Sequence, residues 1–175
     1  MRTTRALIGL GLGAIVSLGV LTVAKAAGPP SNVARAGDFS VMQIATTEPD
    51  RLMSDWLKPS AGVNITTVST VRRNQPVATF IVFSGCQADP SGACNVTVDF
   101  DTFTPSGKLY DQTRGAKVWV GRPAPPPSAV QLSEGGLGLR IENKDPLGTY
   151  TVRATVTDHV SGATLKTSQT ILAQE

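Results

Sequence analysis

Histidine occurs once in this chain, at position 159, and cysteine twice, at 86 and 94. Zinc sites usually take several Cys and His ligands together, so this supply argues against a zinc centre. A Ser–His–Asp relay would have to run through His159. That residue sits in Asp158-His-Val-Ser-Gly162, a turn-like stretch in which exposed polar residues are ordinary. No nucleophile stands on a recognisable strand–helix elbow, so the chain is read as non-enzymatic and no cofactor is expected. Runs of like charge are also missing: charged residues make up 17% of the chain, and only Arg72 and Arg73 are adjacent basic residues. A nucleic-acid footprint needs clustered Lys and Arg on one face, so nucleic acid is discounted as a partner, and so is electrostatic membrane binding. Arg72-Arg73 reads as a solvated turn.

The apolar residues are concentrated first at the N-terminus. Arg2 and Arg5 precede an uncharged run of 18 residues, Ala6 to Val23, and Ala24-Lys25-Ala26 places small residues before Ala27. That is the layout of a secretory signal peptide over 1–26, cleaved after Ala26. As an uncleaved anchor the run would reach about 27 Å at about 1.5 Å per residue, short of a ~30 Å hydrocarbon core. The four glycines between Gly9 and Gly19 also favour cleavage. No cysteine follows the run, so lipoprotein processing is not indicated. The residue choice looks bacterial, and the expected location is the periplasm, the cell surface or the medium, with no membrane span left after cleavage. Losing Arg2, Arg5 and Lys25 from 16 basic residues leaves 13, balanced by 13 acidic ones. The basic character therefore belongs to the export signal. The remaining 149 residues suffice for one domain with its own core.

In an oxidising compartment an even pair of cysteines reads as a disulfide. Between Cys86 and Cys94 lies Gln-Ala-Asp-Pro-Ser-Gly-Ala, which is turn chemistry, with a strand-like run on each side. The expectation is a bond stapling the tip of a hairpin over 84–95, worth roughly 2–3 kcal/mol by loop closure. A redox pair usually keeps two residues between its cysteines at a helix start, and seven turn residues argue against one here.

Residues 27–37 read as a flexible leader and 38–175 as a single domain. Phe39 to Ile44 is long enough for a strand. One short helix is expected near 48–57: Thr47 as cap, Pro49 in the first turn, apolar Leu52, Met53, Trp56 and Leu57 at helical spacing, and Pro59 as the stop. It is expected to cap an end or an edge, with Trp56 anchoring it. From Val63 to Val71 the period becomes two. Val77 to Phe83 is a continuous β-branched and aromatic run, the mark of a central strand. Val96, Val98 and Phe100 alternate with Thr97, Asp99 and Asp101, which gives a half-buried strand with one wet face. Thr104 to Lys108 reads as a turn, and Leu109-Tyr110 and Lys117 to Val120 as two short strands. Pro123-Ala-Pro-Pro-Pro127 cannot donate to a ladder and reads as an extended crossing inside one domain. Val130 to Leu132 and Leu137 to Ile141 add short extended pieces. Tyr150, Val152, Ala154 and Val156 alternate with threonines and Arg153, and Ala163 to Ala173 returns after a turn. About eight short strands separated by turn signals predict an all-β antiparallel sandwich.

Pro146-Leu-Gly-Thr-Tyr-Thr-Val-Arg-Ala-Thr-Val-Thr-Asp158 resembles the penultimate strand of immunoglobulin-like extracellular modules. Its P-x-G-x-Y-x-V-x-x-x-V-x-D pattern is similar to that of polycystic-kidney-disease-type and macroglobulin-type domains. Thr104-Pro-Ser-Gly-Lys108 is similar to an early turn of the macroglobulin type. The resemblance covers residues 94–173 and implies an Ig-like fold, not an activity. The chain lacks the W-D-F-G-D-G-like signature of the polycystic type and has no thioester or bait-like segment, so no protease trapping is implied. In physical terms, Gly148 permits a turn closed to residues with a Cβ. Tyr150 opens the strand with its ring inward and its hydroxyl within reach of backbone near the turn.

Candidate chemistry is sparse. Trp56, Trp119 and Tyr110 are the residues that could stack on a sugar. Trp119 is a platform if its face is open and a core residue if a second sheet covers it. Asp99 and Asp101 lie two apart on a strand and share one side, and Asp111 and Asp158 are candidates to approach each other, which makes calcium the metal to consider. A carboxylate pair could also serve a glycosidase, but small sandwiches seldom enclose a cleft. Asn64-Ile-Thr66 and Asn95-Val-Thr97 match a glycosylation tripeptide, read here as chance. The expected function is a non-catalytic Ig-like module of the bacterial envelope, binding another exported protein or giving structural support. The Pro-rich crossing (123–127) and the disulfide segment are its first candidate surfaces. A glycan- or calcium-binding module is the alternative, and a small hydrolase comes third.

Overall fold

A computed structural model describes residues 31–58, 63 and 65–175. The signal peptide, residues 27–30 of the leader, Pro59 and Asn64 of its tripeptide therefore lie outside the described residues. In chain order the elements are β1 (Val33–Ala36), β2 (Phe39–Thr46), α1 (Pro49–Trp56), β3 (Thr70–Arg72), β4 (Val77–Ser84), β5 (Ala93–Phe103), β6 (Leu109–Pro123), β7 (Gln131–Leu132), β8 (Leu137–Leu139), β9 (Gly148–Asp158) and β10 (Thr164–Gln174). They form two five-stranded sheets. The first runs β1-β2-β4-β7, with β8 also paired to β4; the second runs β3-β10-β9-β5-β6. Every pairing is antiparallel except β3 on β10, which is parallel. The all-β sandwich expected from the alternating pattern is the observed architecture.

The two inner faces supply the core. Val96, Val98 and Phe100 of β5 and Tyr150, Val152, Ala154 and Val156 of β9 are buried, opposite Val41 of β2 and Ile81 and Phe83 of β4. Their partners in the alternation, Thr97, Asp99 and Asp101 on β5, are only half-buried, on the outer face. β4 carries apolar side chains on both faces because it is covered twice. Ile81 and Phe83 face the second sheet, whereas Phe80 and Val82 turn outward to join Ile44, Leu52 and Leu132 in a second, smaller core. α1 and the segment around Val63 and Ile65 form that cover. The helix therefore lies on the outer face of the first sheet and does not cap an end or an edge. Leu52 is its buried anchor, and Trp56 packs partly buried beside it.

Other differences have local causes. The residue preceding α1 is Glu48, with no side-chain cap, and the Thr46 hydroxyl accepts the Glu48 N–H (3.1 Å) in place of a Thr47 cap. Val33–Ala36, inside the stretch read as leader, is a strand paired with β2. Of the Val63–Val71 run only Thr70–Arg72 is a strand, because Val63 and Ile65 are drawn to the outer core while Val68 packs against the inner one. The two short strands expected over 109–120 are one strand of 15 residues, Leu109–Pro123, irregular against β5. The register skips Tyr110, Val118 and Gly121, each an extra residue of the kind a bulge inserts.

The disulfide forms between Cys86 and Cys94, but it does not tip a hairpin. β4 belongs to the first sheet and β5 to the second, so the bond spans the connection from one layer to the other.

Tyr150 is fully buried and its hydroxyl donates to the Pro146 carbonyl (2.8 Å). Tyr150→Phe removes that one hydrogen bond and is expected to cost about 1 kcal/mol. Tyr150→Ala also empties the ring's volume and should cost about 3–5 kcal/mol. Urea unfolding of the two variants checks the order and the spacing. A loss for Tyr150→Ala no larger than for Tyr150→Phe would place the ring outside the core.

Candidate functional site

Four connections meet at one end of the sandwich: the β1–β2 turn, the crossing from β4 to β5, the Pro-rich crossing from β6 to β7 and the β9–β10 turn. Between them lies a hollow of about 520 Å³, lined among others by Asp38, Cys86, Gln87, Pro125, Pro127 and Ser161. The disulfide segment and the proline crossing, singled out separately in the sequence, share this hollow. They are also bonded to each other, since the Ala124 N–H donates to the Gly92 carbonyl (2.9 Å).

Asp158, the last residue of β9, holds the place together. It is completely buried. Its Oδ2 accepts the Gln87 N–H (2.9 Å) and the Ser161 hydroxyl (2.8 Å), and its Oδ1 accepts the Val160 N–H (3.1 Å). One carboxylate thus fixes both the turn that follows it and the chain leaving Cys86. The Asp158-x-x-Ser161 spacing of an Asx-type turn was visible in the sequence, but the bond to Gln87 was not, because it joins residues 71 positions apart.

Gly85 explains the close approach of the β1–β2 turn. Its φ is +71°, and a Cβ there would stand 2.1 Å from the Asp38 carbonyl oxygen. Only glycine combines that backbone angle with that contact. Farther out, Asp89 Oδ1 accepts the Ser91 N–H, the Ser91 hydroxyl and the Ala93 N–H. The Ser91 hydroxyl, followed by the Ala93 N–H, holds the Asp89 carboxyl below its ordinary titration range.

The other sequence candidates are dispersed. His159 Nε2 is paired with Thr97 Oγ1 (2.8 Å), while Ser161 donates to Asp158, so imidazole, hydroxyl and carboxylate do not form a relay. Asp101 is ion-paired with Arg114, and Asp99 Oδ1 accepts the Gly115 N–H (2.7 Å). Asp111, opposite Thr102, and Asp158, opposite Val96, lie far apart along β5 and do not approach each other. Among the described residues no group of three or more His, Cys, Asp or Glu side chains is placed to hold a metal ion.

Trp119 is 9% exposed and belongs to the main core, edge-on to Phe83 with ring centroids 5.7 Å apart. Simple alternation places Val118 on the opposite face. The skipped register at Val118 instead buries both residues. The Arg122 guanidinium lies over the indole, 3.7 Å from its centroid, and covers the face a sugar would need. Tyr110 packs edge-on against Tyr150 (5.4 Å) and donates its hydroxyl to Asp145 Oδ2 (2.7 Å). Desolvation, reinforced by that carboxylate acceptor, raises the Tyr110 phenol above its ordinary value. Trp119 and Tyr110 are therefore engaged within the protein, and Trp56 packs partly buried against the smaller core.

No family model matches the chain and no curated protein matches it. Among solved structures it is similar to a Niemann-Pick type C2 protein from the Japanese carpenter ant, at 5% identity and a TM-score of 0.40, over 86% of this chain and 98% of that one. It is similar also to a family 123 glycoside hydrolase from Clostridium perfringens, at 13% identity and a TM-score of 0.39, over 77% of this chain and 27% of that one. A superoxide reductase (neelaredoxin) from Ignicoccus hospitalis follows at 13% identity and a TM-score of 0.36, over 72% and 92%. At these scores none of the three bears on function.

Two predictions follow from the geometry. Asp158→Ala strips the acceptor from two backbone N–H groups and a hydroxyl; with a buried donor left unpaired at about 1–3 kcal/mol, the expected loss is about 2–4 kcal/mol. Denaturant unfolding checks it, and a loss under about 0.5 kcal/mol, the level of an ordinary surface change, would remove Asp158 from its place as the tie. The second concerns acid. The Tyr110 hydroxyl, with the Glu142 N–H and nearby Lys144 and Arg73, lowers the Asp145 carboxyl below its ordinary 3.8. A carboxyl lowered in the folded state stabilises the protein above its unfolded value, and that contribution is lost as pH falls through the folded one. Tyr110→Phe should therefore flatten the fall in melting temperature on acidification below 3.8. An unchanged acid slope would show that the phenol does not hold Asp145.

Proposed function

We propose that the protein is an exported, non-catalytic Ig-like sandwich of the bacterial cell envelope, and that it binds another envelope protein through the loop end around Asp158. The observation that carries this reading is the convergence of the disulfide segment and the proline crossing on one hollow of about 520 Å³. Its walls are set before any partner arrives, by the Cys86–Cys94 bond, the Asp158 hydrogen bonds and the proline crossing. Preorganised loops lose little entropy on binding, which favours affinity from a small surface. A disulfide fits an oxidising compartment. Among the described residues no helix is long and apolar enough to cross a membrane.

The test is site-specific photo-cross-linking in the producing cell. A photoreactive residue at Gln87 or Pro125 should give one discrete adduct, and the same residue at Lys166, exposed on the outer face of the second sheet, should give none. Adducts of equal yield from all three positions, or none from the loop end, would overturn the reading.

A further inference from the structure

A second hollow, of about 430 Å³, opens on the side of the sandwich where α1 approaches β6 and β7. Met53, Trp56 and Leu57 form one wall, and Trp119, Arg122 and Leu132 the other. Both tryptophans of the chain therefore face one space. The volume lies in the range of small-molecule sites, and the walls are apolar, as such sites usually are. Met53 is 38% exposed and Leu57 80%, so large apolar side chains stand open at its rim.

The polar groups decide what kind of molecule fits. Trp119 Nε1 donates to the Pro123 carbonyl (3.0 Å), and the Ser133 hydroxyl donates to the Gly135 carbonyl (2.6 Å) while accepting the Ile81 N–H (3.1 Å). Neither is left for a ligand. The Gln131 side chain also lines the hollow and has no hydrogen-bond partner among the described residues, but it is neutral; Arg122 differs in carrying a charge. Its guanidinium is held over the Trp119 ring and its Nη1 bonds Glu134 Oε1 (3.1 Å), while Nε and Nη2 have no hydrogen-bond partner among the described residues. A guanidinium fixed in this way presents a two-donor edge matched to a carboxylate.

We propose that this hollow binds a small amphiphilic monocarboxylate: its apolar body lies against Trp56, Leu57 and Met53, and its carboxylate is received on the Nε–Nη2 edge of Arg122. Glu134 both positions the guanidinium and offsets its charge, which makes it a competitor of the ligand's own carboxylate. The site is separate from the loop end and does not depend on the function proposed for it.

Because both tryptophans face the hollow, intrinsic fluorescence reports on it directly. Decanoate, kept below its micelle concentration, should give a saturable change in emission, and decanol of equal chain length should bind about tenfold more weakly, the size expected for one hydrogen bond to a charged group. Arg122→Gln should erase the preference for the acid over the alcohol. Glu134→Gln, which removes the competing carboxylate, should tighten decanoate binding. These two variants shift affinity in opposite directions, so a general loss of folding cannot mimic the pattern, and thermal melts confirm that each is folded. No saturable change with decanoate, equal affinity for decanol, or a preference that survives Arg122→Gln would each overturn the proposal.

Discussion

The backbone hydrogen bonds that pass from one sheet to the other hold this structure to its shape. A sandwich of two open sheets has free edges, and each free edge is a row of unpaired N–H and C=O groups. Here short segments bond to both layers at once. Beside β2 and β10, the Asn32 carbonyl accepts the Gln43 N–H (2.7 Å) while the Ser31 carbonyl accepts the Ser168 N–H (2.8 Å). A little farther along, Val68 donates to the Ala45 carbonyl and Leu172 to that of Ser69, each at 2.8 Å. At the opposite side Ser133 donates to Ile81 of β4, and its neighbours Glu134 and Gly135 donate to Val118 and Lys117 of β6. Between the layers Gln43 is fully buried; its Nε2 donates to the Val152 carbonyl (3.1 Å) and its Oε1 accepts the Thr167 hydroxyl (2.8 Å). A buried amide satisfied from the facing sheet fixes how the layers sit on each other, since sliding them would strand its polar atoms.

Stitching the sides restricts where the molecule can vary. The connection from β4 to β5 must change layers, and there the chain uses its disulfide. The crossing from β6 to β7 must also change layers, and there it uses prolines, which need no ladder partner. Both crossings fall at one end, and Asp158 ties the first of them to the β9–β10 turn. The loop end is thus cross-tied at the places where the chain changes layers.

Much of this was legible where one face meets water and the other meets the core. β5 and β9 follow strict alternation, and the inward Tyr150 and its bond to backbone near Gly148 follow from the local motif. The continuous run of β4 announced a central strand, and β4 lies between β2 and β7. Legibility failed where partners are distant in sequence. The residues around Cys86 and Cys94 look like a hairpin from either flank, and only the sheet assignment shows that the flanks belong to different layers. Period two over Val63–Val71 described a segment whose side chains serve two separate cores. Alternation along β6 broke because its bulges are set by pairing with β5, so Val118 and Trp119 came out on the same side of the burial boundary. Asp158 was noticed as a carboxylate for calcium, whereas its role follows from the Gln87 N–H that only the folded chain delivers.

The two sheets also end up with unlike outer faces. The first carries a third layer, α1 with Val63 and Ile65, over Ile44, Phe80, Val82 and Leu132. The second carries threonines, the Arg114–Asp101 ion pair and the Arg153 guanidinium stacked over the Phe103 ring (4.7 Å). A solvated, charge-paired face needs no cover, whereas an apolar face must find one. α1 is eight residues long, and Leu52 is its buried side chain. Met53 and Leu57 stand at the rim of the side hollow beside Trp119, and the Arg122 guanidinium lies over the indole. The side hollow lies where this third layer meets β6 and the Gln131–Glu134 segment, so its apolar walls come from the cover and the sheet together while its cation, Arg122, comes from β6.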